Sequence, residues 1–173
     1  MFGTSKGGHM SLVAQSELTV GGPIQIVFSR FIDYSGWAAW MPPAFRPVRG
    51  PARPLRQGDR LLVKVTGLLA LLKVDRMQEP NEVRWSGGVP GLLRARHSFL
   101  FESAGEGATR IRSVEPWTGL LTHLAPVSRS ILRNASEISR AQLQGFERWF
   151  AQERGGQGDS PSTGARVGQP LQG

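Results

Sequence analysis

Two side chains in this sequence have types and spacing suited to proton chemistry, His97 and Glu115. His97 falls in Leu93 to Glu102, the clearest alternating stretch of the chain. Leu93, Ala95, His97, Phe99 and Phe101 share one face, and Arg94, Arg96, Ser98 and Glu102 share the other. That is the period of a half-buried strand. A neutral imidazole on the apolar face can hydrogen-bond a ligand carbonyl or move a proton near pH 7. Thr109 to Trp117 reads as the following strand, with Thr109, Ile111, Ser113, Glu115 and Trp117 inward. A hairpin through Gly105-Glu106-Gly107 pairs residues whose numbers add to about 212, which sets Glu115 opposite His97. A buried carboxylate costs several kcal/mol unless partnered, so His97 is its expected partner. Such a pair is a general base or a polar anchor for a ligand. A core histidine satisfied by Glu115 or Ser113 accounts for the same pattern.

Other chemistries are poorly served. The chain has no cysteine, which removes disulfides, thiolate nucleophiles and cysteine metal sites. Its three histidines, one of them at position 9, show no metal-ligand spacing,. Gly87-Gly88-Val89-Pro90-Gly91 is glycine-rich, but no helix follows it to cradle a phosphate. No nucleophile triad assembles, and no cofactor is expected.

The elements that must position His97 and Glu115 follow from periodicity. Ser16 to Val20 reads as a first strand, ended by Gly21-Gly22. Pro23 opens a helix, as a first helical residue that needs no N–H; Ile24, Val27, Phe28 and Phe31 form its apolar face. Trp37 and Trp40, at i and i+3, mark a second short helix stopped by Pro42-Pro43. Further strands are expected at Phe45 to Gly50, Arg60 to Thr66, Leu71 to Met77 and Glu82 to Ser86. Val127 to Glu153 is a long amphipathic helix with Ile131, Ala135, Ile138, Leu143, Phe146, Trp149 and Phe150 at steps of mostly three or four. Pro126 starts or kinks it. The fold class is α+β: an antiparallel sheet of about six or seven strands, two short helices after the first strand, and one long C-terminal helix.

The 173 residues, 39% of them hydrophobic, suit one domain of ordinary size. Residues 1–10, ending in His9-Met10, resemble a cloning remnant. Residues 154–173 are rich in Gly, Gln, Ser, Pro and Thr and are expected to be a disordered tail. Residues 11–153 form the single expected domain, with 18 basic and 12 acidic residues against a whole-chain net charge of +8. Nearly all the cations are arginine, and they are scattered. A basic surface of this kind suits an anionic membrane or partner, or simply solvent; no nucleic-acid motif accompanies it, so no nucleic-acid partner is expected. The longest apolar run, Gly67 to Leu72, is too short to cross a bilayer, so no stable membrane insertion is expected, and a cytoplasmic location is the default.

Four stretches resemble the SRPBCC helix-grip superfamily, which includes START lipid-transfer domains, the major birch-pollen allergen and bacterial polyketide cyclase/dehydrase-like proteins. Pro23 to Phe31 with Asp33 and Trp37-Ala38-Ala39-Trp40-Met41-Pro42 is similar to that family's early helices and Trp-x-x-Trp-x-Pro element. Gly58-Asp59-Arg60-Leu61 is similar to its G-x-x-L strand start. His97-Ser98-Phe99-Leu100-Phe101, then Gly107-Ala108-Thr109-Arg110, Glu115 and Gly119, is similar to its H-x-F-x-L…G-T-R…E…G region, and the long helix closes the domain. The Asn and Leu-Lys-x-x-x-Glu positions of the family's final helix are met only by Asn134 and Glu147. The resemblance implies a curved sheet gripping the helix, with an apolar cavity between them that binds a lipid, quinone or polyketide-like molecule. It carries over no catalytic residue, because the family shares no single catalytic set.

The candidate ligand-binding residues are therefore Trp37, Trp40, Val63, Trp85, His97, Phe99, Phe101, Ser113, Glu115, Trp117, Ala135, Ile138 and Ser139. Trp37 and Trp40 are expected at the cavity mouth, the Gly67 to Leu72 hairpin at its other lip, and open packing around Ala135 facing His97. Three functions stay open: a binder of a hydrophobic small molecule; a cyclase or dehydratase using His97 and Glu115; and a non-catalytic partner protein that docks through its basic surface.

Overall fold

The computed structural model describes residues 12–156. The expectations for residues 1–10 and for the chain beyond Gly156 lie outside them. Seven strands form one antiparallel sheet in the order β1-β7-β6-β5-β4-β3-β2, curled into a half-barrel. They are β1 Leu12–Gly21, β2 Phe45–Arg49, β3 Arg60–Val65, β4 Leu68–Gln78, β5 Glu82–Val89, β6 Leu93–Ser103 and β7 Ala108–Thr118. Helices α1 (Ile24–Phe31) and α2 (Trp37–Trp40) follow β1, and α3 (Ala125–Gly156) closes the chain. The chain is thus α+β, with helices on one face of the sheet.

Local chemistry sets the boundaries. Pro23 stands just before α1 rather than in its first turn, and its carbonyl accepts the Val27 N–H at 3.0 Å. Asp33 caps the short turn ahead of α2 by accepting the Ser35 N–H. Pro126 lies in the first turn of α3, where no intrahelical N–H is needed,. At the other end α3 outruns the expected limit, Glu153, by three residues: the Arg154 guanidinium donates to the Gly21 carbonyl and ties the last turn to the end of β1. Strand β4 begins at Leu68, not Leu71, because Thr66 and Gly67 both have positive φ and form a two-residue hairpin turn,.

The core sits at the end of the molecule where α3 terminates. Phe31 is its hub, with ring centroids 4.8 Å from Phe99, 5.1 Å from Phe146, and 5.2 Å from both Trp40 and Phe101. Trp37 donates its indole N–H to the Phe31 carbonyl at 2.9 Å, so this large ring is buried without an unmet donor,. Gly145 faces the Trp40 carbonyl so closely that a Cβ would collide with it. A mid-helix glycine costs about 0.5–1 kcal/mol of helix propensity; here it lets α3 press onto α2.

Candidate functional site

Toward its N-terminal half, α3 leaves the sheet, and a cavity of about 460 Å³ opens between them. Its floor is Trp85 on β5, Ala95 and His97 on β6, and Glu115 and Trp117 on β7. Its roof is Ile131, Asn134, Ala135 and Ile138 on α3. Val65, Thr66, Leu68, Leu69, Ala70 and Leu72 of the β3–β4 hairpin make one wall, Gly87, Gly88 and Leu93 another, and Phe45 contributes at the β2 side. Space arises where side chains are small: Ala95 and Ala135 face each other's layers. Gly87 and Gly88 instead admit the Leu72 side chain and the Leu93 backbone, which a Cβ would strike. Volumes of this size, mostly apolar with a few polar groups, are typical of small-molecule sites.

The ionisable groups of the lining lie on β6 and β7. Partner numbers along β6 and β7 add to 212, as in Phe99 with Ser113 and Ala95 with Trp117. His97 Nε2 lies 2.7 Å from Ser113 Oγ, and its Nδ1 lies 3.6 Å from Glu115 Oε1. The first contact is a hydrogen bond; the second is longer than one. The two groups are neighbours without a shared proton, so each keeps bonding capacity for a third. The imidazole stacks on Phe99 at 4.2 Å and meets the Trp85 ring at 5.6 Å.

Burial sets the protonation states. It disfavours the imidazolium and pulls the His97 pKa down to about 3,. It also disfavours the carboxylate and pushes Glu115 up to about 7, against a smaller opposing pull from the Trp117 indole N–H. That N–H is buried and has no partner of full hydrogen-bond geometry among the described residues. At neutral pH the site therefore holds a neutral imidazole, a carboxyl poised between its two forms, and an indole donor. The Ser113 hydroxyl can donate or accept, so the one imidazole proton can sit on either nitrogen.

Of the residues singled out from sequence, Trp85, His97, Glu115, Trp117, Ala135 and Ile138 line the cavity. Ser113 stands behind His97 as its hydrogen-bond partner. Val63, Phe99 and Phe101 are fully buried core, and Ser139 is buried in α3. Trp37 and Trp40 are not at the mouth. Both are buried in the aromatic core, Trp37 at 5.3 Å from the Trp85 ring, because α2 packs inward under α3. The hairpin does form a lip. The residues that sequence reasoning passed over as ligand contacts are chiefly Val65, Leu93, Ile131 and Asn134. Ile131 had a usable signal, its place on the apolar stripe of α3. Among the described residues no group of three or more His, Cys, Asp or Glu side chains gathers to hold a metal, and no helix is long and apolar enough to cross a membrane.

No family model matches the sequence, and no curated protein matches it. Solved structures do. A START superfamily protein from Mycobacterium smegmatis shares 15% identity over 82% of this chain and 98% of its own, with a TM-score of 0.61. The di-domain ARO/CYC StfQ from the steffimycin biosynthetic pathway shares 15% over 86% of this chain and 53% of its own, with a TM-score of 0.65. A hypothetical protein from Helicobacter pylori shares 20% over 82% and 89%, with a TM-score of 0.60. The likeness is one of fold: the START-like helix-grip fold that the SRPBCC resemblance implied.

Proposed function

We propose that this chain binds a hydrophobic small molecule of lipid, quinone or polyketide type between the sheet and the N-terminal half of α3. The supporting observation is the cavity itself: about 460 Å³, walled mainly by aliphatic and aromatic side chains, with polar groups at Glu115 and His97 on its floor, Asn134 on its roof and Thr66 on its wall. The apolar walls supply affinity through area removed from water. The polar cluster fixes orientation. The protonated Glu115 carboxyl offers a donor to a ligand carbonyl, and His97 holds the floor beside it. Native mass spectrometry of protein purified from its own host is expected to show a co-purifying apolar ligand. Protein that arrives ligand-free and takes up no lipid, quinone or hydrophobic dye sinks the reading.

A second reading draws on the Glu115 pKa near 7. A general base works best when its pKa lies near the working pH. As a carboxylate, Glu115 would remove a proton from the carbon between two carbonyls of a bound polyketone, leaving the enolate, a step of the cyclase or dehydratase type. Solvent deuterium should then enter that carbon at a rate lost in Glu115→Gln although the compound still binds. Equal exchange in both proteins leaves the pair as a binding anchor alone.

A further inference from the structure

The cavity opens at the end of the molecule opposite the aromatic core, and this end is unusually apolar. Of the ten large hydrophobic residues exposed among the described residues, six cluster here on three neighbouring segments. Leu68 and Leu69, 74% and 66% exposed, start β4. Val89 and Leu92 flank the β5–β6 turn. Leu120 and Leu124 belong to the short helical turn that leads from β7 into α3. The last two segments are bound together, because the Leu120 and Leu121 N–H groups donate to the carbonyls of Gly91 and Leu92 at 2.9 and 3.1 Å. Gly119 permits that contact: its φ is +121°, and a Cβ would come within 2.6 Å of the Leu92 oxygen. The rim is thus a built surface and not a set of stray side chains. Exposed apolar groups gathered in this way mark an interaction site.

Apart from Glu115 on the cavity floor, the charge at this end has one sign. The stretches 44–46, 64–72, 86–96 and 117–134 hold Arg46, Lys64, Arg94, Arg96, Arg129 and Arg133 and no Asp or Glu. None of these six cations has a carboxylate within ion-pair distance among the described residues; the ion pairs present all involve other cations. Register places Lys64 beside Leu69 and Arg94 beside Gly88, directly at the rim. Apolar residues ringed by unpaired cations match the layered chemistry of an anionic bilayer surface, where acyl chains lie beneath negative headgroups.

We propose that this end docks on membranes carrying negatively charged lipids, with the cavity mouth against the bilayer, so that an apolar ligand passes between bilayer and cavity without crossing water. The purpose of the surface rests on the binding reading above, but docking itself is measured without any cavity ligand. In sedimentation with vesicles of equal parts phosphatidylcholine and phosphatidylglycerol, the protein is expected to bind, and to release as salt rises. Pure phosphatidylcholine should hold it at least about tenfold less. Leu120→Ser/Leu124→Ser and, independently, Val89→Ser/Leu92→Ser alter residues off the cavity lining; each should weaken vesicle binding about tenfold. Arg129→Glu/Arg133→Glu should weaken it more, and Ile26→Ser, elsewhere on the surface, should not change it. Uptake of a hydrophobic dye in vesicle-free solution should be the same in all these variants. Absent vesicle binding, binding indifferent to the rim variants, or a concentration-dependent dimer abolished by them overturns the docking surface. Loss of dye uptake in the wild type overturns only the cavity reading.

Discussion

The two halves of α3 are made of similar amphipathic sequence, yet they face different interiors. The C-terminal half buries Leu143, Phe146 and Phe150 against the aromatic hub. The N-terminal half sets Ile131, Ala135 and Ile138 over open space. The difference lies in what each half meets below. Under Phe146 are Phe31 of α1 and Trp40 of α2; under Ala135 are Ala95 of β6 and a polar pair that gains little from close apolar packing. One helix thus serves as core at one end and as a cavity roof at the other.

Truncation separates the halves most strongly. Phe146→Ala is expected to cost about 3–5 kcal/mol in urea unfolding, since a ring packed on every side leaves a void that cannot collapse. Ile131→Ala, at a half-buried position already bordering open space, should cost about 1 kcal/mol or less. Equal costs would mean that the two halves are packed alike.

Proton linkage at the cavity floor should be the next largest effect. The Glu115 pKa is raised from 4.5 to about 7 on folding. Its contribution to stability is therefore full below about pH 4.5 and is lost as pH rises through 7. The wild type should lose on the order of 2–3 kcal/mol relative to Glu115→Gln across that window. His97 runs the other way. With its pKa lowered from 6.5 to about 3, its contribution is full above about pH 6.5 and is lost as pH falls toward 3. Denaturation midpoints of wild type, Glu115→Gln and His97→Asn between those limits read both slopes. A ligand that accepts from the Glu115 acid should likewise bind more weakly above pH 7, and the dependence should vanish in Glu115→Gln.

Much of this was legible in the sequence because β6 and β7 alternate so regularly. Parity and hairpin arithmetic alone bring His97, Ser113 and Glu115 to one place, and the 3.6-residue stripe gives α3 nearly to its ends. Trp37 and Trp40 were less legible. A short helix at i, i+3 does not reveal which way it turns; the Gly145 contact with the Trp40 backbone and the Trp40 ring against Phe146 show that α2 tucks beneath α3. Phe99 and Phe101 share parity with His97, but parity gives the face of a strand and not the position along it; the helix end that lies over them makes them core. The apolar rim escaped notice because its three parts are far apart in sequence, and each alone reads as an ordinary turn.

The central claim is that the space beneath Ala135 receives a ligand. Ala135→Trp tests it directly, by binding of a hydrophobic dye with stability measured in parallel. The expected result is a folded protein, as stable as the wild type to within about 1 kcal/mol, whose dye affinity falls at least about a hundredfold because the indole occupies the cavity. A stable Ala135→Trp protein that binds the dye as the wild type does would contradict the claim.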